Sequence, residues 1–180
     1  MRRGSLFGKA VIALTLAGCA TTVPSSQPAA PCTSDLPPRT SQTDYPVAVL
    51  YVAGDDLPPV VGEVEWLGGD SPVSHQPPRD VHVERFLVLQ AEGNADVSVR
   101  MSDGVRIAAW TIDAVPDGRF RSGDSESDRV RWSEGDEPTD VVCLPVQGGA
   151  WAIIADLTFA DDAGSGTYYW RLNISATPGS

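Results

Sequence analysis

Short apolar runs fill the sequence from Tyr45 onward, and Gly, Pro or Asp interrupts them after about every eight to twelve residues. This spacing is typical of a sandwich or barrel built from short strands. Several runs alternate strictly between apolar and polar residues, as a strand does when one face is buried and the other is solvated. We therefore predict an all-β fold, an antiparallel β-sandwich of about eight to ten short strands. The predicted strands are 46–53, 60–67, 81–90, 96–102, 105–114, 119–121, 129–132, 140–146, 150–160 and 167–175.

The alternating runs also predict which side chains form the core. Three apolar faces stand out: Trp151, Ile153, Ala155, Leu157 and Phe159; Tyr168, Trp170, Leu172 and Ile174; Val97, Val99 and Met101. The continuous apolar run from Phe86 to Leu89 does not alternate, so periodicity does not distinguish a strand from a buried helical turn there.

Turn residues predict how some of these strands connect. Asp103 and Gly104 separate two apolar runs, and both residue types tolerate the positive φ of a two-residue hairpin turn. The segment from Pro116 to Gly118 predicts a second turn. Between Val105 and Ala114 the apolar positions change phase, which predicts a β-bulge near Ala109.

The segment from Asp162 to Tyr168 resembles the tyrosine corner of immunoglobulin-like domains. The resemblance covers only these residues, and Trp170 stands two positions after Tyr168, where that family has a cysteine. It implies an immunoglobulin-like or related sandwich in preference to a barrel.

The first nineteen residues have the order of a secretory signal. Arg2, Arg3 and Lys9 are basic, and the apolar run from Ala10 to Ala17 is too short to span a membrane. Leu16, Ala17, Gly18 and Cys19 resemble the lipobox of bacterial lipoproteins. That resemblance implies cleavage before Cys19 and a lipid anchor, diacylglycerol and palmitate, on this cysteine. An ordinary secretory signal with a coincidental cysteine, or a twin-arginine signal, remains an alternative.

Three regions follow from these patterns. Residues 1–18 are the predicted signal peptide, 19–43 the lipid anchor and a disordered tether rich in Pro, Ser and Thr, and 44–180 a single β-sandwich domain. The expected location is the extracytoplasmic face of the cell membrane, or the outer membrane if the cell has two membranes.

The net charge limits the classes of partner, and the cysteine count predicts a disulfide. The chain has a formal charge of −11, and cleavage removes three basic residues, which makes the mature charge about −14. Nucleic acid is therefore a poor partner. Cys32 and Cys143 form an even pair in an oxidising compartment, which predicts a disulfide. Two separate thiols are the alternative.

No catalytic or cofactor motif emerges from the sequence. Gly123, Asp124 and Ser125 resemble the nucleophile block of the Gly-Asp-Ser hydrolases, but His75 and His82 lie upstream of the serine, whereas that family places its histidine far downstream. We therefore expect no enzyme activity and no cofactor. No further His or Cys stands at ligand spacing to the two histidines, so no zinc, copper or haem site is predicted.

Two weaker binding candidates remain. Asp124, Glu126 and Asp128 alternate like part of a calcium loop, although Arg129 stands where that loop requires Gly. Asp161 and Asp162 are possible additional calcium ligands.

Trp132 and Tyr169 have polar neighbours in sequence, so they are the aromatic residues expected nearest the surface, as candidate glycan contacts. The predicted function is a lipid-anchored, non-catalytic module that engages another envelope component, expected to be a protein. The alternative is a small-ligand or cell-wall glycan binding module, with its dependence on calcium left open.

Overall fold

The computed structural model describes residues 32, 40–77, 88–92, 96–122, 128–145 and 147–175. Within these residues the chain forms two β-sheets that pack against each other, so the predicted all-β sandwich is confirmed. The strands are β1 (Ala48–Val52), β2 (Asp55–Leu57), β3 (Val60–Trp66), β4 (Val73–His75), β5 (Val88–Glu92), β6 (Val97–Met101), β7 (Ile107–Pro116), β8 (Val130–Gly135), β9 (Val141–Cys143), β10 (Gly149–Phe159) and β11 (Gly164–Ser175). A short helix, α1 (Asp117–Ser122), follows β7.

The small sheet has the order β2-β1-β6-β9, and the large sheet has the order β4-β3-β11-β10-β7-β8. Strand β5 pairs in parallel with the second half of β11, and the other described pairs are antiparallel. The long β10–β11 hairpin forms the centre of the large sheet, because β3 binds the remaining edge of β11 and β7 binds that of β10.

The inner faces of both sheets form the core that the alternating pattern predicted. Trp170, Phe159 and Leu50 are among the largest fully buried side chains. Trp151 is partly exposed and packs against the edge of this core. The bulge expected near Ala109 is present, because Ile107 pairs with Phe159 and Ala109 with Thr158, which leaves Ala108 as the extra residue.

The hairpin predicted at Asp103 and Gly104 is wrong in its pairing. Both residues have positive φ, 58° and 68°, as the turn chemistry required. However, β6 belongs to the small sheet and β7 to the large sheet, so this turn carries the chain from one layer to the other. A turn motif fixes local backbone geometry, whereas packing of the two apolar faces decides which strands pair.

The strand predicted at 119–121 is also wrong, because these residues lie in α1. Pro116 ends β7, and Asp117 occupies the first turn of the helix, where a negative charge favours the helix dipole. Val88–Glu92 is a strand, while the remainder of the predicted strand 81–90 lies outside the described residues. Strands β2 and β4 were not predicted.

The segment before β1 is held against the turn that follows β6. The Ser41 backbone N–H donates to Asp103 Oδ1 over 2.9 Å. Val47 and Ser102 exchange two bonds, one from the Ser102 N–H to the Val47 carbonyl and one from the Val47 N–H to Ser102 Oγ, each 2.8 Å long. Ser102 Oγ in turn donates to Asp103 Oδ2. We call this set of contacts, made by Ser41, Val47, Ser102 and Asp103, the entry clamp.

The predicted disulfide joins Cys32 to Cys143 in β9, the edge strand of the small sheet, with a Cα–Cα distance of 5.8 Å. The two cysteines are 111 residues apart in sequence.

Tyr168 connects the two halves of the sandwich. Its buried hydroxyl donates to the carbonyl of Pro46 over 2.9 Å, 122 residues away. The tyrosine corner of immunoglobulin-like domains instead bonds backbone only a few residues upstream. The resemblance at Tyr168 therefore extends to a buried, hydrogen-bonded tyrosine but not to its partner.

We expect stability to fall at alkaline pH partly because of Tyr168. Burial raises the pKa of its hydroxyl, and proximity to Tyr45 adds to the shift. The unfolded chain therefore releases this proton first, near pH 10, so this stabilisation is complete below about pH 10 and is lost as the pH rises further. Tyr168→Phe should lower the free energy of unfolding by about 1 to 3 kcal/mol at pH 7, because the Pro46 carbonyl loses its donor. Urea unfolding between pH 7 and 11 should show a shallower alkaline decline for the variant, and an unchanged decline would contradict the assignment.

Candidate acidic groove

A broad open groove crosses the outer face of the large sheet, with a cavity volume of about 780 Å³. Five strands contribute to it: β3, β11, β10, β7 and β8. Its lining residues are Glu63, Glu65, Ala109, Trp110, Thr111, Glu134, Gly135, Asp136, Asp156, Leu157, Thr158, Ser165, Gly166 and Thr167. We call this feature the acidic groove.

Cross-strand register explains the shape of its floor. One row of paired residues runs from Thr167 through Asp156 and Thr111 to Glu134. The neighbouring row runs from Glu65 through Ser165 and Thr158 to Ala109. Small side chains occupy the middle of both rows, so the floor is low, and longer acidic side chains stand on the flanking strands.

The charged side chains among the described lining residues are all acidic. Five carboxylates line it, and none of its described lining residues is basic. Thr167 Oγ1 donates to Asp156 Oδ1 over 2.6 Å, which orients the central carboxylate. Glu63 and Glu65 lie on one side of the floor, while Glu134 and Asp136 lie on the other. An open acidic surface of this kind attracts cationic groups.

A cluster of arginines stands at one end of the groove. Arg131 Nε donates to Asp113 Oδ1 over 2.6 Å, and its Nη1 donates to Glu134. Arg129 Nη1 lies 3.7 Å from Asp113 Oδ2. The hydrogen bond that Arg131 donates to Asp113 is the largest cause that raises the pKa of Arg131. Arg131 therefore bridges the buried Asp113 and the groove carboxylate Glu134, so its positive charge offsets part of the negative charge at this end of the groove.

Tyr169 lies next to this cluster. Partial burial raises the pKa of its hydroxyl, the negative charge of Asp156 raises it further, and Arg129 opposes both. Tyr169 is half-buried and does not line the acidic groove. The structure therefore places this candidate glycan contact beside the groove, and its ring is partly exposed to solvent.

Trp132 does not lie near the surface, and that expectation is wrong. It is only 7% exposed and packs edge-to-face against Trp151, with ring centroids 5.5 Å apart. The register of β7 and β8 pairs Ile112 with Ser133 and Asp113 with Arg131, so Trp132 is the extra residue of a bulge. The bulge turns its ring inward despite its polar neighbours in sequence.

Of the five candidate calcium ligands, Asp128, Asp161 and Asp162 belong to the described residues. Asp124 and Glu126 lie outside them, as do Ser125 and His82 of the hydrolase comparison. Asp128 is described and forms an ion pair with Arg119, at 3.2 Å. Asp161 and Asp162 lie exposed in the turn between β10 and β11. Across the described ranges, no three His, Cys, Asp or Glu side chains are arranged to hold a metal ion.

Among the residues that the structure describes, no helix has the length and apolar character needed to cross a bilayer. No model of a known protein family matches the chain, and no curated protein matches it either. The fold and the groove define a two-sheet β-sandwich with an acidic concave face.

The groove carboxylates were not singled out from the sequence. Asp156 and Thr158 do alternate with the core residues of β10, which marks them as outward-facing. Their convergence with Glu63 and Glu134 depends on β11 and β10 lying between β3 and β7, a strand order that the alternation does not contain.

Proposed function

We propose that this protein is a lipid-anchored, extracytoplasmic β-sandwich module that binds a cationic segment of another envelope protein in the acidic groove, without catalysis. The observation that carries this proposal is the groove itself: four carboxylates flank a floor that contains Asp156 and small side chains, and none of its described lining residues is basic. Lipidation at Cys19, supported by the lipobox, would hold the module at the membrane surface.

Electrostatic complementarity is the physical basis of this binding mode. A negative face accelerates encounter with a positive partner and disfavours negative partners, so rim carboxylates act mainly on association rate and specificity. The low floor leaves room for an extended Lys-rich or Arg-rich segment to lie across β10 and β11. The two aromatic candidates give the glycan alternative no support, because Trp132 is buried and Tyr169 lies outside the groove. Trp110 does line the groove, but its ring packs over Gly135 and against the core.

Site-specific photo-cross-linking in cells tests the groove. We expect a photoreactive amino acid at Thr158, on the groove floor, to yield a discrete adduct with an envelope protein. The same amino acid at Leu67, which is 48% exposed and outside the groove, should not yield it. Equal adducts at both positions would contradict the proposal, and adducts only with wall material would favour the glycan alternative.

A charge variant extends this test. The groove variant replaces four flanking carboxylates with amides: Glu63→Gln, Glu65→Gln, Glu134→Gln and Asp136→Asn. We expect the Thr158 adduct to fall about tenfold, equivalent to about 1.4 kcal/mol. A control variant makes the same charge change at exposed positions outside the groove: Asp55→Asn, Asp70→Asn, Asp161→Asn and Asp162→Asn. A similar loss in both variants would show that overall charge, not the groove, governs binding.

The anchor has its own prediction. Cells fed a labelled fatty acid should label the wild-type protein, and Cys19→Ser should abolish the label because the acceptor thiol is gone. The same substitution should release the protein from the membrane fraction. Equal labelling of the two proteins would contradict lipidation and leave the ordinary secretory signal as the explanation.

A further inference from the structure

We propose that the Cys32–Cys143 disulfide limits how far the β-sandwich can stand from the membrane, by fixing the tether to the domain earlier in the chain than the fold otherwise would. This inference rests on the proposed function, because it assumes a lipid on Cys19. It assigns the disulfide a role in positioning the acidic groove, in addition to its effect on stability.

The described residues contain two successive points at which the N-terminal segment joins the domain. The first is covalent, where Cys32 joins Cys143 at the edge of the small sheet. The second is the entry clamp, where Ser41 bonds to Asp103 and Val47 exchanges two bonds with Ser102. The clamp involves neither cysteine, so we expect it to hold the chain when the disulfide is absent.

These two points define two different tether lengths. From Cys19 to Cys32 the chain advances thirteen residues, and from Cys19 to Ser41 it advances twenty-two. Fully extended, these segments span at most about 45 Å and about 75 Å, whatever their conformation. The disulfide therefore removes about 30 Å from the maximum reach of the domain.

The mean separation of the domain from the membrane changes by a smaller factor than its maximum separation does. If the tether is disordered, as its composition predicts, its mean end-to-end distance scales with the square root of its length, so twenty-two residues give about 1.3 times the separation of thirteen. A partner that presents its cationic segment near the membrane would meet the groove more often with the shorter tether, because effective concentration falls as a tether lengthens.

Stabilisation is the competing role for this disulfide. Closing a loop of about 110 residues restricts the unfolded chain, so the bond also stabilises the fold. A test must therefore lengthen the tether in one variant without removing the bond. A second copy of residues 21–29, inserted after Ala29, lengthens the tether by nine residues and leaves both cysteines in place. Cys32 and Ser41 are also nine residues apart, so the insertion adds the length that loss of the disulfide would add.

The experiment uses the full lipidated chain, purified from the producing cells and reconstituted into vesicles of phosphatidylethanolamine and phosphatidylglycerol that contain a dansyl lipid. Energy transfer from the tryptophans to the dansyl groups reports the separation of domain and membrane. Three proteins are compared: wild type, the insertion variant and Cys32→Ser/Cys143→Ser, with near-ultraviolet circular dichroism to establish that each is folded.

We expect the insertion and the double serine variant to increase the mean separation by a similar factor, about 1.3-fold. Unchanged transfer in both vesicle-bound variants would overturn the inference and leave the proposed function intact. A change in the serine variant alone would assign the disulfide to stability and would also overturn it. Failure of the wild-type protein to associate with vesicles would contradict lipidation at Cys19 and would overturn both proposals.

Discussion

Asp117→Ala should lower the free energy of unfolding by about 3 to 5 kcal/mol, because it leaves the Arg171 guanidinium buried without its partner. The two side chains form a bidentate pair, with both N···O distances 2.6 Å. They are only 13% and 10% exposed, so water cannot replace the lost carboxylate. Urea unfolding of the mature chain carrying Cys19→Ser measures the loss.

Two further variants test whether the loss comes from leaving a buried charge without its partner. Asp117→Ala/Arg171→Met removes both charges, and it should recover most of the loss because a buried ion pair costs nearly as much to desolvate as it returns. Asp140→Ala breaks the exposed pair with Arg106, whose side chains are 77% and 55% exposed, and should cost less than about 1 kcal/mol. If Asp117→Ala costs no more than Asp140→Ala, the buried pair does not anchor α1 to the large sheet.

Gly164→Ala should destabilise the protein by about 2 to 4 kcal/mol, through backbone strain and a steric clash together. Gly164 begins β11 with φ of +111°, a conformation that side chains other than hydrogen rarely allow. A Cβ at this position would be driven into the backbone carbonyl of Glu65, which cannot rotate away as a side chain could. Thermal and urea unfolding measure the effect.

Gly118→Ala is the matched control. Gly118 lies in α1, and no atom lies within 4 Å of the position that a Cβ would occupy. Alanine there should be neutral or stabilise the protein by up to about 1 kcal/mol, because glycine is a poor helix former. Equal effects of the two substitutions would mean that the junction of β3 and β11 relaxes to accept a side chain at Gly164.

The sequence by itself determined the all-β class and most of the core. Alternation in β10 and β11 identifies buried residues such as Ile153 and Trp170, because the period of a strand records which face meets the core. The phase change around Ala109 marked the bulge for the same reason. The pairing of Cys32 with Cys143 followed from counting cysteines, since only these two remained once Cys19 was assigned to lipid.

Only the tertiary structure decided which strands are neighbours. Alternation states that a face is buried but not against what, so the Asp103–Gly104 turn was expected to pair two strands that in fact belong to different sheets. Trp132 was misplaced because a one-residue bulge reverses the direction of a side chain without leaving a signal in its neighbours. The acidic groove depends on the same long-range information: Glu63 and Glu134 are far apart in the chain, and they line one surface only because the β10–β11 hairpin inserts between β3 and β7.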